Sequence, residues 1–188
     1  MKNLFVITAL LLVPSLASAQ SVFKPGTISI GGEISFSKTS YTYESGGMEI
    51  EQEQTVIRFA PLVGYFVTPN IQAFGQLEYA DYEDSHSMFG LTVGANYFHP
   101  LMPKLYAYAG GAVFLNSLSY EDNTDVTIYG LMIQAGVLYM FNEHIGLNAA
   151  LKFKIAMGSA EYDGGGEADV SGTELGLGYF GIMGFFNL

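Results

Sequence analysis

Apolar and polar residues alternate along most of the chain with a period of two. In the first such segment, Ile28, Ile30 and Ile34 fall on one face, and Ser29 and Glu33 fall on the other. Successive side chains of a β-strand point to opposite faces, so this spacing predicts strands. The same split recurs in eight segments, whereas no apolar stripe of helical spacing continues beyond the first twenty residues. The sequence therefore predicts an all-β chain of eight strands.

The connections between these segments alternate between short and long. Three are tight turns and four are longer and polar: Thr68 to Asn70, His99 to Pro103 and Asn142 to His144 are the short ones, and Lys38 to Gln54, Asp81 to Ser87, Asn116 to Asp125 and Gly158 to Gly172 are the long ones. A meander with short turns at one rim and longer loops at the other is typical of membrane barrels. We therefore predict an eight-stranded antiparallel up-and-down transmembrane β-barrel.

Side-chain size decides which face of this barrel points outward. A soluble, lipocalin-like barrel would bury its apolar face around a ligand, whereas a membrane barrel turns that face to lipid. The polar faces are rich in Gly, Ser, Thr, Ala and Asn, and the apolar faces carry bulky Ile, Leu, Phe and Tyr that would overfill a narrow tube. We expect the bulky face outside. The fifth segment, near residues 105–115, is ambiguous in phase.

Composition and charge exclude several classes of function. The chain has 188 residues, a net charge of -11, seven Lys and Arg in total and no Cys. So few cations leave nothing from which to build a nucleic-acid-binding surface. The absence of Cys excludes disulfides, thiol catalysis and a Cys-type zinc site. No ordered spacing of metal ligands is present, and we predict neither a metal nor a cofactor.

The first nineteen residues have the layout of a secretory signal peptide. Lys2 is followed by an apolar run from Leu4 to Val13 and by Ala17-Ser18-Ala19, a small-residue cleavage site. A membrane anchor is disfavoured because the run is shorter than the ~20 residues of a spanning helix and ends at Pro14. We expect a signal peptide over residues 1–19 and a barrel domain over residues 20–188.

Five charged residues lie on the inward faces of the predicted strands. They are Glu33, Arg58, Glu78, Lys152 and Lys154. Strand closure brings the seventh strand close to the first two across a narrow lumen, so we predict a buried ion-pair network that plugs the barrel. Gln72, Gln76 and Asn96 are expected to add hydrogen bonds. The alternative is that these charges line a water-filled tube.

Tyrosines end the apolar faces of the second, fourth and sixth strands, each just before a short turn. They are Tyr65, Tyr97 and Tyr139, with Phe66, Phe98 and Phe141 nearby. A tyrosine ring suits the headgroup zone, with its hydroxyl toward water. We predict an aromatic girdle at the short-turn rim, whereas β-propensity alone would explain tyrosine anywhere in a strand.

The segment from Phe59 to Asn70, the final Phe185-Phe186-Asn187-Leu188 and the signal peptide together resemble the outer-membrane-protein β-barrel family of small OmpX-like and OmpA-like barrels. The resemblance implies the outer membrane of a Gram-negative (diderm) bacterium. It also implies lipid and lipopolysaccharide as surroundings and the barrel assembly machinery as a partner during biogenesis.

Two positions depart from a regular barrel pattern. The resemblance leads us to expect an aromatic residue at the C-terminus, yet the chain ends in Leu188. Either the strand phase slips at a bulge near Tyr179-Phe180, or the assembly signal is a variant. Pro61 lacks a ladder donor inside a closed sheet, so we expect a bulge near it.

The long loops hold most of the acidic residues. Fourteen of the eighteen Asp and Glu fall within them, which predicts a strongly anionic outer rim. Such a rim could bridge to lipopolysaccharide phosphates through divalent cations or capture a cationic extracellular ligand. A solvated surface that resists aggregation is the simpler interpretation, and we favour it.

The chain offers little for catalysis. A lipid-modifying enzyme needs a histidine base beside a serine and an acid, and the only histidines are His86, His99 and His144. His86 has serine and acid as sequence neighbours, but adjacent residues on a strand point to opposite faces. The sequence therefore predicts a non-enzymatic barrel with a structural or surface-interaction role. A small, porin-like diffusion pore and, less favoured, a lipid-modifying enzyme are the alternatives.

Overall fold

A computed structural model describes residues 23–45, 48–82, 86–120, 125–162 and 166–187. The strands are β1 (Ile28–Ser45), β2 (Met48–Phe66), β3 (Ile71–Tyr82), β4 (His86–Met102), β5 (Leu105–Tyr120), β6 (Asp125–Met140), β7 (Ile145–Tyr162) and β8 (Gly166–Phe186). Each pairs antiparallel with its sequence neighbours, and β1 pairs with β8 to close the barrel. The predicted fold, an eight-stranded up-and-down barrel, is confirmed. The predicted signal peptide lies outside the described residues.

The strands are longer at one rim than the sequence suggested. β1 and β2 stay paired as far as Ser45 and Met48, and β7 and β8 as far as Tyr162 and Gly166. Most residues of each predicted long loop therefore belong to the strands of a β-hairpin. That prediction was wrong because polarity on both faces was taken to mean loop, whereas a strand that extends beyond lipid meets water outside. We call the two ends the short-turn rim and the long-hairpin rim.

The bulge expected near Pro61 is absent. Pro61 pairs with Gly32, and the β2–β3 register stays in step on both sides of it, from Phe59↔Tyr79 to Leu62↔Gln76. The β2–β3 ladder simply has no paired positions at residues 60 and 61. The missing N–H of proline therefore falls at a gap in the ladder, and no extra residue is needed to accommodate it.

A bulge does interrupt β8. Ala150 pairs with Tyr179 and Lys152 with Gly176, so two residues of β8 lie opposite the single residue between them on β7. This is the phase slip near Tyr179 that the sequence left open as one of two alternatives. Its effect is to exchange faces: inward residues have odd numbers from Tyr179 onward and even numbers before the bulge.

The outer surface is apolar over the middle of the barrel. Large hydrophobic side chains such as Val63, Leu91, Leu131 and Leu151 are about half exposed or more. On β2, the outward positions from Phe59 to Tyr65 carry no Asp, Glu, Lys or Arg. The described outward positions at the same heights on β3 to β7 carry none either. The predicted polarity, with bulk outside, is confirmed. The described residues include no helix that is long and apolar enough to cross a membrane.

The interior is less uniformly small and polar than expected. Near the short-turn rim it holds a cluster of buried aromatic and aliphatic side chains that includes Phe66, Phe98, Tyr106 and Tyr108. The last two fix the ambiguous phase of β5, since its even-numbered residues point inward. Inward glycines make room for these rings. A Cβ at Gly136, for instance, would lie 2.6 Å from the Tyr108 ring.

We expect a charge on the apolar exterior to be costly only where lipid covers it. Replacing Leu131 with Arg should reduce the free energy of unfolding in lipid vesicles by roughly 2–4 kcal/mol, because the side chain lies near the middle of the apolar belt. Thr127→Arg, outward on the same strand but beyond the belt, is the matched control and should cost less than about 1 kcal/mol. Urea titration of both variants checks this, and equal losses would contradict the membrane assignment.

Candidate functional site: charged groups inside the barrel

All five charged residues singled out in the sequence have buried side chains inside the barrel. The structure arranges them as two groups at different heights. The lower ion group, nearer the short-turn rim, contains Glu33 and Lys152. The upper ion group contains Arg58, Glu78 and Lys154, and it also includes Glu174.

In the lower ion group, Glu33 accepts from three side chains on two strands, β3 and β7. Lys152 Nζ forms a short ion pair with Glu33 Oε2, and Asn148 Nδ2 donates to Glu33 Oε1 at 2.7 Å. Gln76 Nε2 donates to Glu33 Oε2 at 3.0 Å, while Gln76 Oε1 accepts from Lys152 at 3.1 Å. Gln76 thus connects the acid to the base, the role expected of it from the sequence.

In the upper ion group, Glu78 is held between two cations. Lys154 Nζ lies 3.0 Å from both carboxylate oxygens, and Arg58 Nε lies 3.2 Å from Oε1. Arg58 Nη1 then reaches Glu174 Oε1 at 2.9 Å. Arg58 therefore bridges carboxylates from two strands, β3 and β8, a use that suits its planar, forked guanidinium.

Glu174 is a member of the site that the sequence analysis missed. It lies on β8 before the bulge, and counting alternate residues back from Phe185 would place it on the lipid face. The bulge restores it to the inside, where it is partly buried against Arg58. The signal that could have found it is the charge itself, because an acid at that depth on the outer face would be costly in lipid.

Each lysine also lies over an aromatic ring. Lys152 Nζ is 4.4 Å from the centroid of the Tyr179 ring, and Lys154 Nζ is 5.5 Å from that of Phe114. Desolvated cations are attracted to the negative face of such rings. Each ammonium group of the two ion groups thus has an aromatic ring as well as a carboxylate within reach.

The charges of the two ion groups balance. Glu33, Glu78 and Glu174 provide three carboxylates, and Arg58, Lys152 and Lys154 provide three cations, each of which is no more than 3% exposed. An unpaired charge at such a buried position would reduce the stability of the fold, and ion pairing with further hydrogen bonds offsets that cost. Among the described side chains, the two ion groups therefore carry no net charge.

Neutral layers lie below and above the ion groups. Below, a ladder of hydrogen bonds runs from Gln134 to Asn96 (2.6 Å), from Asn96 to Gln72 (3.1 Å) and from Gln72 to Ser29 (2.7 Å). Gln72 and Asn96 thus contact each other rather than the charged residues. Above, a small apolar cluster covers the upper ion group and consists of Val56, Ala80, Met88, Leu118 and Val126.

The predicted girdle residues all point outward at the short-turn rim. Tyr65, Tyr97 and Tyr139 are about half exposed, and the Tyr139 ring meets that of Phe141 edge-on at 5.6 Å. Phe66 and Phe98, expected beside them, are instead inside the barrel. The reason is parity, because each directly follows a girdle tyrosine on its strand.

A second aromatic row, which the sequence analysis missed, lies toward the long-hairpin rim. Phe59 pairs with Tyr79 and Tyr79 with Phe89 on adjacent strands, and Tyr129 lies on β6. Tyr129 and Tyr139 are ten residues apart. At ~3.3 Å per residue and a tilt of about 40°, they bound an apolar belt roughly 25 Å tall, the height typical of membrane barrels.

The histidines form no catalytic arrangement among the described side chains. His99 lies exposed near the end of β4, and His144 Nδ1 lies 3.2 Å from the carbonyl oxygen of Phe185. The side chain of His86 lies outside the described residues. No group of three or more potential metal ligands occurs in the part of the chain that the structure describes.

Removing one acid from the upper ion group should be strongly destabilising. In Glu78→Gln, Arg58 and Lys154 lose their shared carboxylate while still buried, so the free energy of unfolding should fall by about 3–5 kcal/mol. Asp81→Asn, on the same strand but exposed, is the control and should change it by less than about 1 kcal/mol. Urea unfolding in vesicles, with the folded fraction read from the gel shift of the unboiled protein, measures the free energy of unfolding of both variants. A Glu78→Gln loss as small as the control's would show that the carboxylate is dispensable.

No protein-family model matches the chain, and no curated protein does. Solved structures do match. The crystal structure of neisserial surface protein A aligns with a TM-score of 0.60 at 17% identity, covering 86% of this chain and 99% of that one. The solid-state NMR structure of the outer membrane protein AlkL in lipid bilayers aligns with a TM-score of 0.56 at 15% identity, covering 93% and 96%. The chain therefore has the fold of the small eight-stranded outer-membrane β-barrels that its sequence resembles.

Proposed function

We propose that the protein is a closed β-barrel of the outer membrane of a Gram-negative bacterium, with a structural or surface-interaction role. In this proposal a signal peptide over residues 1–19 directs export and is cleaved. The uncharged apolar belt between two aromatic rows supports the membrane location, since water would disfavour such a surface and lipid favours it. The partners we infer are outer-membrane lipid and lipopolysaccharide around the belt, and the barrel assembly machinery during insertion.

The main support for a closed lumen in this proposal is that the two ion groups contain equal numbers of cations and carboxylates. In a water-filled pore, inward charges would be solvated and would not need to neutralise one another in pairs. Here Arg58, Lys152 and Lys154 are almost completely removed from solvent, and each is within ion-pair distance of a carboxylate. Side chains rather than water therefore fill the middle of the barrel, which disfavours the porin-like alternative.

The acidic long hairpins complete the proposal. Most side chains of these hairpins are not among those that the structure describes. Asp81, near the long-hairpin rim, is exposed, as a solvated acidic surface requires. We propose that this rim keeps the exposed strands soluble and discourages edge-to-edge association. Capture of a cationic extracellular ligand, or bridging of lipopolysaccharide phosphates by divalent cations, is a further role the same charges could serve.

If the lumen is closed, the barrel should not conduct ions. Protein refolded into planar bilayers should give no steady single-channel steps, because the ion groups leave no continuous water path. The gel shift of the unboiled sample must show that the barrel is folded. A steady, large conductance from such a sample would replace the proposal with the small diffusion pore.

A non-enzymatic role predicts that His86 is dispensable. His86→Ala, compared with His99→Ala as a matched control, should leave the acylation pattern of lipid A unchanged in whole membranes, since no serine and acid are arranged around a histidine among the described side chains. Mass spectrometry of lipid A measures this. A changed pattern in His86→Ala alone would favour the lipid-modifying enzyme.

A further inference from the structure

The segment that precedes β1 folds back toward the barrel through a tight turn. Lys24, Pro25, Gly26 and Thr27 form this turn, in which Thr27 N donates to the Lys24 carbonyl at 3.0 Å. Proline at the second position and glycine at the third, here with a φ of 93°, are the residues that a type II turn requires. The turn thus reverses the chain, and Phe23 comes to lie inside the short-turn mouth.

Phe23 is only 2% exposed, and its ring contacts rings on several strands of the barrel. The ring centroids lie 4.3 Å from Phe66, 5.6 Å from Phe98, 5.1 Å from Tyr106 and 4.9 Å from Phe185. These partners belong to β2, β4, β5 and β8, which are distributed around the closed barrel. A single ring can touch all four walls only if it lies near the barrel axis.

Hydrogen bonds fix the turn to the wall. Gly26 N donates to the carbonyl oxygen of Phe66 at 2.9 Å, which attaches the turn to β2. Thr27 Oγ1 donates to Asn187 Oδ1 at 2.6 Å and accepts from Lys24 N at 3.1 Å. The segment is therefore held at both its sides, by β2 and by the residue that follows β8.

We propose that residues Phe23 to Thr27 form a stopper that closes the short-turn mouth, as a barrier separate from the ion groups. The inference rests on the proposed closed barrel, but it concerns a different level of the lumen. Between the stopper and the ion groups lies the hydrogen-bonded ladder that begins at Ser29. The lumen is thus closed once by charge pairing and once by an aromatic ring that is not part of the sheet.

Cysteine labelling tests the stopper, because the chain has no cysteine of its own. Ser29→Cys places a nearly isosteric thiol on a fully buried inward position just above the stopper. The probe is a small, membrane-impermeant cationic methanethiosulfonate, added to folded protein in detergent micelles, where both mouths are open to solvent. The rate should be slow with Phe23 in place and should rise about tenfold or more with Phe23→Ala, because labelling of a closed site requires local opening.

Two further variants keep the test decisive. Phe186→Ala removes an exposed aromatic ring from the outside of the same rim and should leave the rate unchanged. Thr27→Val removes the hydroxyl that binds Asn187 but leaves every ring in place, so it should raise the rate even if Phe23→Ala fails to fold. An unchanged rate in folded Phe23→Ala, or a rate already fast in the parent, would overturn the stopper.

Vesicles separate this inference from the proposed function. When the Phe23→Ala barrel is inserted with its long hairpins outside, as protease digestion can check, an external reagent reaches Ser29→Cys only past the ion groups. Slow labelling in vesicles with fast labelling in micelles is the expected result. Fast labelling in vesicles would show that the ion groups do not close the lumen, which would refute the proposed function and leave the micelle comparison to decide the stopper.

Discussion

The pairing of buried charges inside the barrel is the constraint on which the rest of the fold depends. Arg58, Lys152 and Lys154 are buried inside an eight-stranded barrel, whose interior is about wide enough for side chains, and each meets a carboxylate there. That requirement couples strands far apart in sequence, since Glu33 on β1 pairs with a lysine on β7. It therefore favours one register and one closure of the sheet over the alternatives.

The bulge in β8 follows from the same constraint. Without it, alternation from Phe185 backward would turn Glu174 toward lipid and leave the Arg58 guanidinium with one carboxylate fewer. One extra residue exchanges the two faces of the strand, which brings the acid inside. A local irregularity of the backbone is thus tied to the charge balance of the two ion groups.

Alternation was enough to predict the strands, their pairing and the inward direction of all five charged residues. Polarity alone failed where a residue's direction or pairing depends on something else. Phe66 and Phe98 are apolar yet point inward, because parity fixed by the neighbouring tyrosines overrides hydrophobicity. The long hairpins looked like loops because strands outside lipid need no apolar face. Phe23 could not be assigned from periodicity at all, since it precedes the first strand; only Pro25-Gly26 signalled the turn.

The middle and the short-turn end of the interior are held by different interactions, and the division is consistent with the geometry. Ion pairs need defined directions, and strands hydrogen-bonded into one closed sheet, such as β1, β2, β3 and β7, provide them in the middle of the barrel. A ring such as Phe23 needs only close contact from several sides, which a segment outside the sheet can achieve once a turn has aimed it. Dispersion and burial tolerate small displacements that a buried ion pair would not. The less constrained segment therefore closes the mouth with an apolar group, while the charged groups remain where the sheet holds them.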